Sequence, residues 1–110
     1  MKLLGEAISC NCTGSHNDAV ATEKALLKFI KRCGVDYEEI RRSYLPKDQN
    51  LIRFVFDPVR KRMSTIGEVP GMAGYNKRVY VKGAGEIVLE ACNFYLDKDG
   101  NRQTLNDDTK

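Results

Sequence analysis

Leu51-Ile-Arg-Phe-Val-Phe-Asp-Pro-Val-Arg-Lys-Arg-Met-Ser-Thr-Ile-Gly-Glu-Val69 is the stretch where the chain changes period. Residues 51–57 are rich in aromatic and β-branched side chains and predict a strand, and residues 63–69 predict a second. Pro58 and the basic run Arg60-Lys61-Arg62 lie in the connection between them. Strand alternation puts Phe54 and Phe56 on one face and Leu51, Arg53 and Val55 on the other. A third strand is predicted over Lys77–Lys82, where Val79 and Val81 alternate with Arg78 and Tyr80. Pro70 to Gly74 predicts a flexible loop before it. Strands with short connections predict an antiparallel meander.

Upstream, the apolar spacing is helical. Leu3, Leu4, Ala7 and Ile8 predict a short first helix over 3–8. Cys12–Asn17 reads as a loop, with Asn17 or Asp18 as cap of a second helix. That helix carries Val20, Leu26, Leu27, Phe29 and Ile30, and stops at Gly34 behind Lys31 and Arg32. A third helix is predicted from Asp36 to Tyr44, ended by Pro46. Downstream, Gly83-Ala84-Gly85 leads into a helix over 86–92. Phe94-Tyr95-Leu96 predicts a short strand that ends in the turn Asp97–Gly100. Residues 101–110 are polar and are expected to fray. Helices and antiparallel strands in separate runs predict an α+β fold, an antiparallel sheet flanked by helices.

One hundred and ten residues, 42% hydrophobic and 30% charged, are the size and composition of a single globular domain, 1–110. No run approaches the roughly 20 apolar residues that span a bilayer. Met1-Lys-Leu-Leu4 is too short an apolar region for a signal peptide. The net charge is +3, but residues 53–82 hold seven basic against two acidic side chains, a local +5. Such a field suits a polyanion or a merely solvated face. Cys10, Cys12, Cys33 and Cys92 contain no C-x-x-C pair, so no zinc ribbon is written. His16 near Cys10 and Cys12 is a thin metal candidate, and small thiols in a reducing compartment are the simpler reading.

Glu23 stands on a helical face with Val20, Leu26, Leu27 and Ile30. A carboxylate inside an apolar stripe needs a partner. It is either the acceptor for a ligand amine at a pocket edge, or an acid in the first turn of a helix that starts later. Phe56 is either a stacking platform for a base or a core residue. Lys82-Gly-Ala-Gly-Glu86 joins strand to helix as neither a Walker A loop nor a dinucleotide fingerprint. Asp97-x-Asp99-x-Asn101 lacks the glycine and glutamate of a calcium loop and reads as an Asp-Gly turn.

Three segments together resemble the nucleotide-binding domain of P-type cation-transporting ATPases. Phe-Asp-Pro-Val-Arg-Lys-Arg-Met-Ser-Thr (56–65) resembles that family's F-x-x-x-R-K-x-M-S segment, and Val-Lys-Gly-Ala-Gly-Glu (81–86) its K-G-A-P/S-E segment. Ala-Thr-Glu-Lys-Ala-Leu-Leu (21–27) resembles its T-E-x-A-L helix start. The wording is most similar to the plasma-membrane calcium pumps. The resemblance implies an ATP-binding domain, facing the cytoplasm on an integral membrane protein. Glu23 would face the adenine amine and Phe56 stack the base, with Met63, Lys82, Gly83 and Ala84 around them. Arg60 and Lys61 would lie on the phosphate side. Gly85 replaces the usual Pro or Ser, and Pro58 stands where the sarcoplasmic-type pumps carry an arginine.

The D-K-T-G-T string that holds the phosphorylated aspartate is absent. The resemblance therefore implies an excised piece of a larger domain that binds ATP without hydrolysing it. Mg2+ would come with the nucleotide in the intact pump, and the partners would be its phosphorylation and actuator domains. No nucleic-acid partner and no membrane contact are expected. From the residues alone, the rivals are a basic single-strand nucleic-acid-binding module using Phe54, Phe56 and Arg60–Arg62, or an interaction domain without a ligand.

Overall fold

The computed structural model describes residues 2–45, 52–70, 77–108 and 110. Helix α1 (Lys2–Cys10) is followed by a loop, then α2 (Ala21–Arg32) and α3 (Tyr37–Tyr44). Strands β1 (Ile52–Asp57), β2 (Arg62–Glu68) and β3 (Lys77–Gly83) form one antiparallel sheet in the order β1-β2-β3. Helix α4 (Gly85–Ala91) follows, and β4 (Phe94–Leu96) pairs with β5 (Arg102–Thr104) in a separate antiparallel ladder. The α+β class and the meander are as expected. The polar end differs: residues 102–104 supply a strand, because Asp97 Oδ1 accepts from the N–H groups of Asp99 and Asn101 and folds the turn back. Pro46, Leu51 and the loop over 71–74 lie outside the described residues.

The helical end is where the chain buries its apolar surface. Ile8, Cys12, Leu27, Ile30 and Tyr37 form one cluster, with Ala19, Leu26 and Val35 packed on it. Burying a side chain the size of Leu27 or Ile30 contributes about 1.5–3 kcal/mol. Leu3 and Leu4 are exposed, so only the Ile8 side of α1 faces this core. Helix α2 starts one residue after Val20, which occupies the cap position and is 69% exposed. Neither Asn17 nor Asp18 caps it. The Asp18 carboxylate instead accepts from the N–H and hydroxyl of Ser15 and closes its own turn. At the far end Gly34 has φ +85°, and the N–H groups of Gly34 and Val35 bond the carbonyls of Lys31 and Ile30. This is the left-handed stop that glycine favours. Asp36 caps α3 by accepting from Glu38 and Glu39.

Polar residues fasten helices to sheet. Asn11, buried just past α1, donates to the Met63 carbonyl at 3.1 Å and accepts from the Thr65 hydroxyl at 2.7 Å. Arg53 joins the Thr65 hydroxyl to the Cys10 carbonyl, and Arg41 binds the carbonyls of Ser9, Cys12 and Gly14. These cations sit where the carbonyls of a helix end lack partners. Thr65, Met63, Tyr80 and Gly67 are buried on this helix-facing side. Ile52, Phe54, Val79 and Val81 are exposed on the other.

Candidate functional site

β3 pairs with β2 so that Lys82 stands opposite Met63, on the side that faces the helices. Glu23, in the first turn of α2, reaches the same point. Its Oε1 accepts Lys82 Nζ at 2.9 Å, and Lys82 Nζ also lies 3.1 Å from Met63 Sδ. Glu23 Oε2 accepts both the N–H and the hydroxyl of Thr13, each at 3.0 Å. Three of the expected residues, 59 positions apart at the extremes, therefore touch. The helix does start late, with Glu23 in its first turn, and the residue is only 6% exposed. Burial pushes its pKa up. The Lys82 hydrogen bond, the two Thr13 donors and the ammonium charge outweigh that and hold it below the usual range. Thr13 was not among the expected site residues.

Phe56 follows a break in the alternation of β1. Phe54 pairs with Ser64 and Asp57 with Arg62, so Val55 and Phe56 together oppose the single Met63. That extra residue is a β-bulge, and it carries Phe56 off the row of Phe54. The expected shared face for Phe54 and Phe56 is thus corrected. Phe56 is 56% exposed, so it is a surface ring and not a core residue. A groove of about 470 Å³ runs along this part of β1, lined in part by Phe54, Phe56 and Arg60. Glu23, Met63 and Lys82 are not in its lining. A second cavity, about 420 Å³ beside His16, Lys31 and Tyr37, contains none of the expected residues.

Gly83 and Ala84 have a backbone role. A Cβ at Gly83 would collide with the Lys61 carbonyl oxygen. The Ala84 N–H donates to that same oxygen at 3.1 Å. Lys61 itself has φ 55°, and its N–H bonds the Asp57 carbonyl, closing the turn after Phe56. Arg60 is turned inward: its guanidinium donates to the carbonyls of Arg62 and Phe54, at 2.9 and 3.3 Å, and lies over the Phe54 ring. Of the seven cations in the basic segment, Arg53, Arg60 and Arg62 hold backbone carbonyls, while Arg78 and Lys82 hold buried glutamates. The local +5 is therefore largely internal cross-linking.

The thin metal candidate is corrected. His16 Nδ1 meets the Tyr37 hydroxyl at 2.9 Å and its Nε2 meets Lys31. Burial pushes the Cys10 and Cys12 thiols up to about 11, unfavourable for the thiolate a metal needs. Among the described residues no three His, Cys, Asp or Glu side chains converge. Nor is any described helix long and apolar enough to cross a membrane.

The chain is 47% identical over 79 residues, 72% of its length, to plasma membrane calcium-transporting ATPase 4 of Bos taurus. It is 35% identical, over 96% of its length, to a plasma membrane calcium-transporting ATPase of Caenorhabditis elegans. Over 78% of its length it is 37% identical to a calcium-transporting ATPase of Dictyostelium discoideum. It spans only 6%, 10% and 7% of these three proteins. The family described as P-type ATPase, cytoplasmic domain N, matches residues 2–110. With that match across nearly its whole length, the chain belongs to the family of P-type ATPase cytoplasmic N domains.

Proposed function

We propose that this chain holds the adenine of ATP for a P-type calcium pump and presents the γ-phosphate to an aspartate on a separate phosphorylation domain. The observation that carries the reading is the meeting of Glu23, Met63 and Lys82 on one sheet face, with Phe56 in the bulge of β1 that opposes Met63. Glu23 supplies an ionised acceptor for an amine. Phe56 supplies an exposed ring on which a base can stack. Lys82 supplies an ammonium between the base and the polar part of the nucleotide. Arg60 and Lys61 mark the phosphate side, at the turn that follows Phe56. The chemistry asked of the domain is positioning, and closure on a second domain completes the catalytic constellation.

Mg2+ would accompany the phosphates, where it neutralises their charge. The described residues offer it no cluster of ligands, so this chain's part is to grip the base. In the parent pump the domain would face the cytoplasm and work with the phosphorylation and actuator domains.

ATP titrated into the labelled domain should shift amides in 20–27, 54–65 and 79–86. The expected dissociation constant is on the order of 0.1–1 mM, about 4–5.5 kcal/mol. ADP and AMP should bind within a few-fold. The domain alone should show no ATPase turnover, with or without calcium. If several millimolar ATP leaves all three amide groups unmoved, the reading is wrong.

A further inference from the structure

Oε2 of Glu23 is fully committed before any ligand arrives. It accepts two donors, both from Thr13, and a carboxylate oxygen offers two lone pairs. Among the described residues Oε1 accepts one donor, Lys82 Nζ. One lone pair of the carboxylate is left. Thr13 itself is exposed, in the loop between α1 and α2.

We propose that Thr13 is a positioning residue that sets specificity: by filling Oε2 it leaves a single acceptor on Oε1, so the site takes one N–H donor and repels a carbonyl in its place. This rests on the adenine reading above. Adenine presents an exocyclic amine to that acceptor, whereas hypoxanthine presents a carbonyl oxygen, which the carboxylate repels. Thr13→Val keeps the backbone N–H but removes the hydroxyl. The carboxylate then has a second open lone pair and one tether fewer, so it no longer holds one fixed acceptor. Lys82 from β3, Arg53 from β1 and the Cys12 thiol are the charged or titratable groups around it.

The test is a titration of ATP and of inosine triphosphate into the wild-type domain, Thr13→Val and Thr13→Ser, followed by NMR with amide dispersion as the folding control. The wild type should prefer ATP. Thr13→Val should lower that preference by about threefold to tenfold, the range for one hydrogen bond, and Thr13→Ser should keep it. A purely structural role would weaken both nucleotides alike and leave the ratio intact. In the free domain, the 13C titration of the Glu23 carboxyl should move upward in Thr13→Val and stay in Thr13→Ser. A wild type that binds both nucleotides equally overturns the adenine reading and this inference with it. A wild-type preference that persists unchanged in Thr13→Val, or a Glu23 titration that Thr13→Val does not move, overturns the role of Thr13 alone.

Discussion

Two buried glutamates meet two cations of β3, four residues apart, and the two meetings differ in what holds them. Glu6, on α1, is held by large anchored groups: among the described residues Oε2 accepts Arg78 Nη1 at 2.9 Å and Oε1 the Tyr44 hydroxyl at 2.7 Å. Glu23, on α2, is held by a flexible lysine and an exposed loop threonine. A guanidinium is a planar fork that stays charged, while an ammonium is a compact charge on a mobile stem. Lys82 has three donors. One goes to Glu23, and one faces a thioether, which is a weak acceptor. The Glu6 pair therefore behaves as a clamp between helix and sheet. The Glu23 pair behaves as a contact that a better acceptor can enter. The same residue chemistry serves architecture at one end of the strand and, on the proposed reading, recognition at the other.

The sharpest way to break this comparison is to delete each cation. Arg78→Met leaves Glu6 buried with Tyr44 alone and should cost about 2–4 kcal/mol of stability. Urea unfolding measures it. Lys82→Met should cost less, about 1–2 kcal/mol, because Thr13 still holds Glu23. Equal losses would show that both pairs are clamps. Nucleotide binding should rank the other way, with Lys82→Met weakening ATP more than adenosine and Arg78→Met sparing both. Next in size, Phe56→Ala should weaken adenine nucleotides by about 1–3 kcal/mol. Because that ring is half exposed, stability should change little. An unchanged ATP affinity in a folded Phe56→Ala domain would move the platform to Phe54.

Two smaller effects separate the regions by pH. The folded pKa of Glu23 lies below its ordinary 4.5. The unfolded chain then binds more protons, so this stability is present above about pH 4.5 and is lost as pH falls through the folded value. Acid unfolding should be steeper in the wild type than in Glu23→Gln. In the other region, the hydrogen bond to Glu6 and then burial push the Tyr44 hydroxyl up to about 12. A raised pKa contributes stability that is whole below the unfolded value of 10 and is lost as pH rises towards 12. Tyr44→Phe should lose about 1 kcal/mol at neutral pH and show a flatter alkaline limb. An acid limb that follows Tyr44, or an alkaline limb that follows Glu23, would dissolve the distinction.

What could be read from residue order was whatever repeats or punctuates locally. The strands of the meander follow from period-two apolar spacing, and the end of α2 follows from Gly34. Glu23, Met63 and Lys82 were legible as a set through the family resemblance, because each sits in its own short motif. The bulge was not legible: Phe54, Val55 and Phe56 are all apolar, so the run carries no phase to betray an extra residue. Thr13 was hidden because a polar residue in a polar loop has no periodic signature. The Glu6–Arg78 clamp spans 72 residues, and neither residue announces its partner. Val20 at the start of α2 was missed because Asp18, the better capping residue, closes the Ser15 turn instead.

The Lys61 carbonyl oxygen offers a timing signal. It takes the Ala84 N–H and sits against Gly83, so the turn after Phe56 and the residue after Lys82 part only when that hydrogen bond breaks. Amide hydrogen exchange at Ala84 then reports how often the two halves of the candidate pocket separate. Its protection in the free domain is a direct readout of how preorganised the pocket is. A nucleotide that bridges Phe56 and Lys82 should slow exchange there more than at the amides of the β4–β5 ladder, which lies outside the pocket.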